Sequence, residues 1–116
     1  MAPRDFTKSE RKKLRELAGE AYSRELHEAL GNLDSAFSDW RASHIDGFQL
    51  SDFIHEFHDG ISRDLYSLYN SMDSGFLVAR AVARRLLARK EVPPKLLEGL
   101  AHMIEYFAEV AEEPDA

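Results

Sequence analysis

Apolar residues Tyr22, Leu26, Ala29, Leu33, Ala36 and Trp40 recur at alternating steps of four and three. That spacing has a period of about 3.5 residues, the repeat of helices that lie along one another. A solitary helix on a globule usually carries a broader apolar face with a period near 3.6. The seam therefore predicts a long first helix with a neighbouring helix along its length. Ala29 and Ala36 occupy one set of seam positions, so that neighbour's backbone can come close.

Helical periodicity fills almost everything from Thr7 onward, and no β-type alternation persists. Thr7 or Ser9 can cap the start of the first helix, because a hydroxyl accepts from the free N–H groups of the first turn. Leu14, Leu17, Ala18 and Ala21 carry its opening turns, and the seam carries it to about Arg41. Gly31-Asn32 is its weak point, since Gly costs about 1 kcal/mol in a helix interior. The stripe keeps its phase beyond it, which predicts one helix with a bend at most.

Asp46-Gly47 marks a turn. A second helix follows over roughly 49–70, striped by Leu50, Phe53, Ile54, Phe57, Ile61, Leu65, Leu68 and Met72. This stripe passes Gly60 in phase, so the helix is expected to continue through it. Asp73-Ser74-Gly75 signals another turn and cap. A third helix is expected from Phe76 to about Glu91, with Arg80, Arg84, Arg85 and Arg89 spread around its polar sides. Val92-Pro93-Pro94 stops it and starts a fourth helix, since Pro suits a first helical turn but not an interior. The tail from Glu112 to Ala116 is expected to fray.

These elements predict a single all-α domain over 1–116. A long antiparallel hairpin spans about 7–72, and a short helix pair spans about 74–111. A two-helix hairpin of that length has too little interior to bury both stripes. A second copy covering Tyr22, Leu26, Ala29, Leu33, Ala36 and Trp40 resolves this, which predicts a homodimer in a dimeric helical bundle.

Charge and composition narrow the chemistry. The chain carries 21 acidic and 15 Lys or Arg residues, net −6, so general affinity for nucleic acid or anionic membrane is disfavoured. It has no cysteine, which excludes disulfides, thiolate nucleophiles and iron–sulfur clusters. The first residues lack the apolar core of a signal peptide, and no apolar run reaches the ~20 residues of a membrane span. The expectation is a cytoplasmic protein.

The densest polar cluster runs from Ser51 to Asp59. On a helix, Asp52, His55 and Asp59 share one side, with Tyr66 a heptad beyond Asp59 and His58 between that side and the apolar stripe. Three such ligands could hold a metal. A bundle di-metal site, however, uses Glu-x-x-His on two helices. Asp52-x-x-His55 is the one acid-x-x-His pair here, while His102 and Glu105 stand in reverse order. His55 has neighbouring carboxylates to orient it, but no nucleophile, glycine-rich loop or oxyanion turn accompanies it. The expectation is no enzyme and no cofactor. Asp52, His55, His58 and Asp59, with Phe48 and Arg84, form instead a candidate partner-binding surface, since aromatics beside charges mark protein-binding hot spots. A metal-binding helical bundle and a DNA-binding regulator using the last two helices are the alternatives.

Some of these strings resemble a known family. Ala21-Tyr22-Ser23-Arg24-Glu25-Leu26 is similar to the Ala-Tyr-x-Arg-Glu-Leu in the first helix of the cyanobacterial fluorescence recovery protein family. Ile45-Asp46 and Leu50-Ser51-Asp52-Phe53-Ile54 resemble that family's turn and its Leu-His-Asp-Phe-Leu segment. Leu86-Leu87, Val92 and Leu96-Leu97 match the spacing of its third helix and the loop after it. The resemblance spans about residues 10–98. It implies an all-helical, non-enzymatic dimer without cofactor that binds the orange carotenoid protein, a carotenoid-binding photoprotective protein, and speeds its return from the light-activated form. The family's functional Trp-x-x-His-Asp falls on Phe48, Ser51 and Asp52, and a basic residue of the next turns falls near His58. Asp52 is kept, whereas Phe48 stands in place of Trp and Ser51 in place of His. A relative with the same scaffold and another partner is the alternative implied.

Overall fold

A computed structural model describes residues 6–112. The expected fraying tail beyond Glu112 and residues 1–5 lie outside the described residues. Among the described residues every regular element is helical and there is no strand, so the chain is all-α. Helix α1 spans Lys8–Arg41, α2 Gly47–Phe57, α3 Arg63–Ser71, α4 Ser74–Ala83 and α5 Pro94–Glu112. A π turn, His58–Ser62, joins α2 to α3, and a 3₁₀ turn, Arg89–Glu91, precedes α5.

Caps set the starts. Thr7 is the cap of α1: the Glu10 N–H donates to Thr7 Oγ1 at 3.1 Å, and the Thr7 N–H donates to Glu10 Oε1 at 2.8 Å. Asp46 and Gln49 repeat this reciprocal box at α2, at 2.8 and 2.9 Å. Asp73 caps α4 by accepting from the Gly75 N–H at 3.0 Å. Helix α1 runs unbroken through Gly31, where the seam keeps its phase.

Both Ala83 and Arg41 end their helices on left-handed residues that are not glycine. Ser43 has φ 63° and Arg85 φ 62°. Around Ser43, the Ser43 N–H donates to the Trp40 carbonyl and the His44 N–H to the Asp39 carbonyl. Around Arg85, the Arg85 N–H donates to Val82 and the Leu86 N–H to Ala81. These paired bonds are the Schellman closure, which satisfies carbonyls left over at a helix end.

Two expectations are corrected. The third helix does not reach Glu91 but stops at Ala83, and Arg84, Arg85 and Arg89 lie in its cap and in the connection that follows. Leaving the helix lets Leu87 and Val92 turn inward, where both are buried. The second helix does not run evenly past Gly60, which has φ −98° and ψ −105° within the π turn. Ile61, expected on the buried stripe, is 43% exposed there.

The chain forms two compact units, and α1 contributes to both. One is Tyr22–Ser71. The other takes the remaining described residues. In that second unit α4 is apolar on nearly all sides, with Leu77, Val78, Ala79, Ala81 and Val82 buried, as a central helix must be. Leu96, Leu100 and Ile104 of α5 and Leu14, Leu17, Ala18 and Ala21 of α1 are buried in the same unit. Phe76 meets Phe107 edge to face with centroids 4.8 Å apart. In the Tyr22–Ser71 unit the chain reverses over residues 42–46, and Tyr69 of α3 stacks on Tyr22 of α1.

Candidate functional site

The seam on α1 divides into two rows of seven-residue period. Tyr22, Ala29 and Ala36 form the first: Tyr22 is half-buried under Tyr69, and the two alanines are buried. Leu26, Leu33 and Trp40 form the second: the leucines are half-buried and Trp40 is 44% exposed. Leu30, also exposed, continues the apolar surface beyond the second row. One row is thus covered by the chain itself, and the other keeps apolar area in water.

An open groove of about 390 Å³ lies in this unit between α1 and the α2–π segment. Ala29 and Leu33 line it from α1, and Phe53, Phe57 and Ile61 from the other side. Asn32 and Glu56 supply its polar edge. A smaller hollow of about 210 Å³ is lined by Gln49, Asp52, Phe53 and Glu56. Phe53 and Glu56 belong to both, so the two adjoin. Asp52 and Glu56 are one helical turn apart and present two carboxylates on one side.

Among the sequence-predicted partner residues, Phe48 is 86% exposed on the first turn of α2. The Asp46–Gln49 box caps that turn. Asp52 and His55 are exposed on α2, and His58 and Asp59 are exposed in the π turn. Arg84 belongs to the other compact unit, as the C-cap of α4. Of this set, only Asp52 borders the grooves. Glu56 and Asn32 were not singled out from the sequence, and Phe57 and Ile61 were read there as stripe residues and not as part of a site. The detectable signal was the i, i+4 pair Asp52–Glu56 flanking Phe53.

Among the described residues no group of three or more His, Asp or Glu side chains is placed to hold a metal ion. Among them, too, no helix is long and apolar enough to cross a membrane. The charge is unevenly shared. Residues 22–71 contain three arginines, no lysine and nine carboxylates, together with four of the five histidines. Their net charge is −6, the whole of the chain's, and the remainder is neutral in sum.

Fold and surface together define an all-α protein with a groove-bearing acidic unit. No protein-family model, curated protein or solved structure matches the chain.

Proposed function

We propose that this chain is a non-enzymatic regulator that acts by binding another protein, and that it works as a homodimer. The observation that carries this reading is the apolar surface left on residues 22–71. Leu30, Trp40, Phe48, Phe53, Ile54, Ile61 and Tyr66 are each 40–86% exposed. At ~200 Å² per large side chain, they leave roughly 700 Å² of apolar-residue surface in water. A standard protein interface uses about 800 Å² per partner, so the apolar surface spread over this unit is of the size that a protein contact draws on.

The second seam row, Leu26 and Trp40 with Leu30, is the dimer face in this reading, with Leu33 at its groove-side edge. The first row contributes indirectly, by fixing α1 against its own chain. Phe48, Asp52, His55, His58 and Asp59 serve the heterologous partner. The resemblance to the fluorescence recovery protein family makes the orange carotenoid protein the first partner to test. Such a protein acts by preferring one conformer of its partner, and its effect is limited by that preference.

Sedimentation equilibrium at micromolar concentration tests the assembly. The expected mass is that of two chains, and Leu26→Asp is expected to halve it while leaving helicity by circular dichroism unchanged. A one-chain mass for the parent protein removes the dimer from the proposal. Adding the protein to light-activated orange carotenoid protein and following the absorbance of its dark recovery tests the partner. Acceleration supports the family reading, and an unchanged rate assigns the scaffold to a different partner.

A further inference from the structure

We infer that the groove between α1 and α2 receives a basic amphipathic helix from a partner protein, seating an apolar side chain on Phe53 and Phe57 and a Lys or Arg on Asp52 and Glu56. This rests on the protein-binding reading above and specifies the chemistry of the partner.

The groove asks for two things at once. Its floor is apolar: Ala29, Leu33, Phe53, Phe57 and Ile61 surround about 390 Å³ of open space. Helix-in-groove recognition fills such a space with side chains from one face of an amphipathic helix. The adjoining hollow of about 210 Å³ adds Asp52 and Gln49 beside the shared Phe53 and Glu56. A Lys or Arg suits that arrangement, since its stem packs on an aromatic ring while its cationic head meets carboxylates. Anchor and cation need only stand one turn apart on the incoming helix, the same interval that separates Phe53 from Phe57.

Charge selects among occupants. Residues 22–71 carry −6 with no lysine, so an acidic or neutral segment gains nothing from the field around the groove. A second copy presenting this same groove face would set Asp52 and Glu56 against its own Asp52 and Glu56, and like charges set against each other penalise a complex. A basic partner is drawn in by the same field, which raises its association rate most at low salt.

A labelled synthetic Leu/Lys amphipathic helix is the probe, titrated with the full chain by fluorescence anisotropy. Its counterpart with every Lys replaced by Glu, and a scrambled peptide of the same Leu/Lys composition, are the comparisons. The expected result is saturable binding of the Leu/Lys helix, with about tenfold weaker binding of the scrambled peptide and none of the Glu form. Asp52→Lys with Glu56→Lys should weaken the Leu/Lys helix about tenfold, and Phe53→Ser should weaken it comparably. Asp34→Lys with Asp64→Lys changes the net charge equally but does not alter the groove lining, and should leave the affinity within about twofold.

Equal weakening by the two charge pairs would mean that bulk charge alone attracts the peptide, and it overturns the inference. So does equal binding of the amphipathic and scrambled peptides. Loss of the two-chain mass in Asp52→Lys/Glu56→Lys or Phe53→Ser would assign the groove to a second copy, which also overturns it. A monomeric parent that still binds the Leu/Lys helix would remove the homodimer and leave this inference standing. A dimer indifferent to the peptide would do the reverse.

Discussion

Tyr69 lies flat on Tyr22, with ring centroids 4.6 Å apart and planes within 1° of parallel, and its hydroxyl donates to Glu25 Oε1 at 2.8 Å. This joins the end of α3 to the middle of α1 with one stacking and one polar contact. Tyr69→Phe keeps the stack and loses the hydrogen bond, so it should cost about 1 kcal/mol. Tyr69→Ala loses both. Because the ring is only half-buried, the cost should be about 2 kcal/mol, below the range for a fully buried aromatic. Urea unfolding of the three proteins measures both values. An unchanged midpoint for Tyr69→Ala would mean that the stack contributes nothing.

Gly31 and Gly75 should respond oppositely to alanine. A Cβ at Gly31 would meet nothing within 4 Å, and the residue is interior to α1. Gly31→Ala should therefore stabilise by about 1 kcal/mol, the intrinsic helix preference. A Cβ at Gly75 would lie 3.0 Å from Asp73 Oδ2 and 3.4 Å from Leu100 Cδ2. That Asp73 oxygen is the cap of α4. Gly75→Ala should weaken the cap and destabilise by about 1 kcal/mol despite the better propensity. Thermal melts of the two variants should shift in opposite directions, and a shared sign would contradict this reading.

Ser43 and Arg85 hold left-handed conformations that cost an L-residue roughly 1–2 kcal/mol. Glycine avoids that cost, although it gains freedom when unfolded. Ser43→Gly and Arg85→Gly should each raise stability by about 1 kcal/mol or slightly less. The two turns share no hydrogen bond, so the gains should add in the double variant. A lowered melting temperature in either single variant would show that its side chain contributes more than the backbone loses.

Leu100 and Ile61 separate core from open surface. Leu100 is fully buried, and Leu100→Ala should cost about 3 kcal/mol. Ile61 is 43% exposed, and Ile61→Ala should cost well under about 1 kcal/mol. Guanidinium titration at a concentration low enough to disfavour association distinguishes them. A large loss for Ile61→Ala would place a covering element over the groove in the free protein.

The all-helical character and the continuity of α1 through Gly31 were legible because phase is a property of the sequence itself. Leu33, Ala36 and Trp40 keep the seam beyond Gly31-Asn32, and the helix follows. Phase failed as a guide at Gly60, since apolar spacing of four on either side hides a local change in residues per turn. The stop at Ala83 left no sign, because Ala83-Arg84-Arg85-Leu86 contains neither Gly nor Pro and Arg85 takes the position where glycine is customary. The interior draws Leu87 and Val92 inward, and that demand is tertiary. The same limit applied to the groove. Asp52 was visible as part of a polar run and Glu56 as its i, i+4 neighbour, but the placing of Ala29, Asn32 and Leu33 of α1 opposite them is tertiary, and no local pattern specifies it.

The π turn at His58–Ser62 also acts as a register setting for everything after it. A π turn carries one residue more than the α turn it replaces, so excising one residue here would close the bulge and leave the later side chains near their present bearing. Tyr69 would still face Tyr22, and Leu65 the interior. A single-codon deletion is thus milder in this short stretch than in the regular helix on either side, where it would swing every later side chain by about 100°.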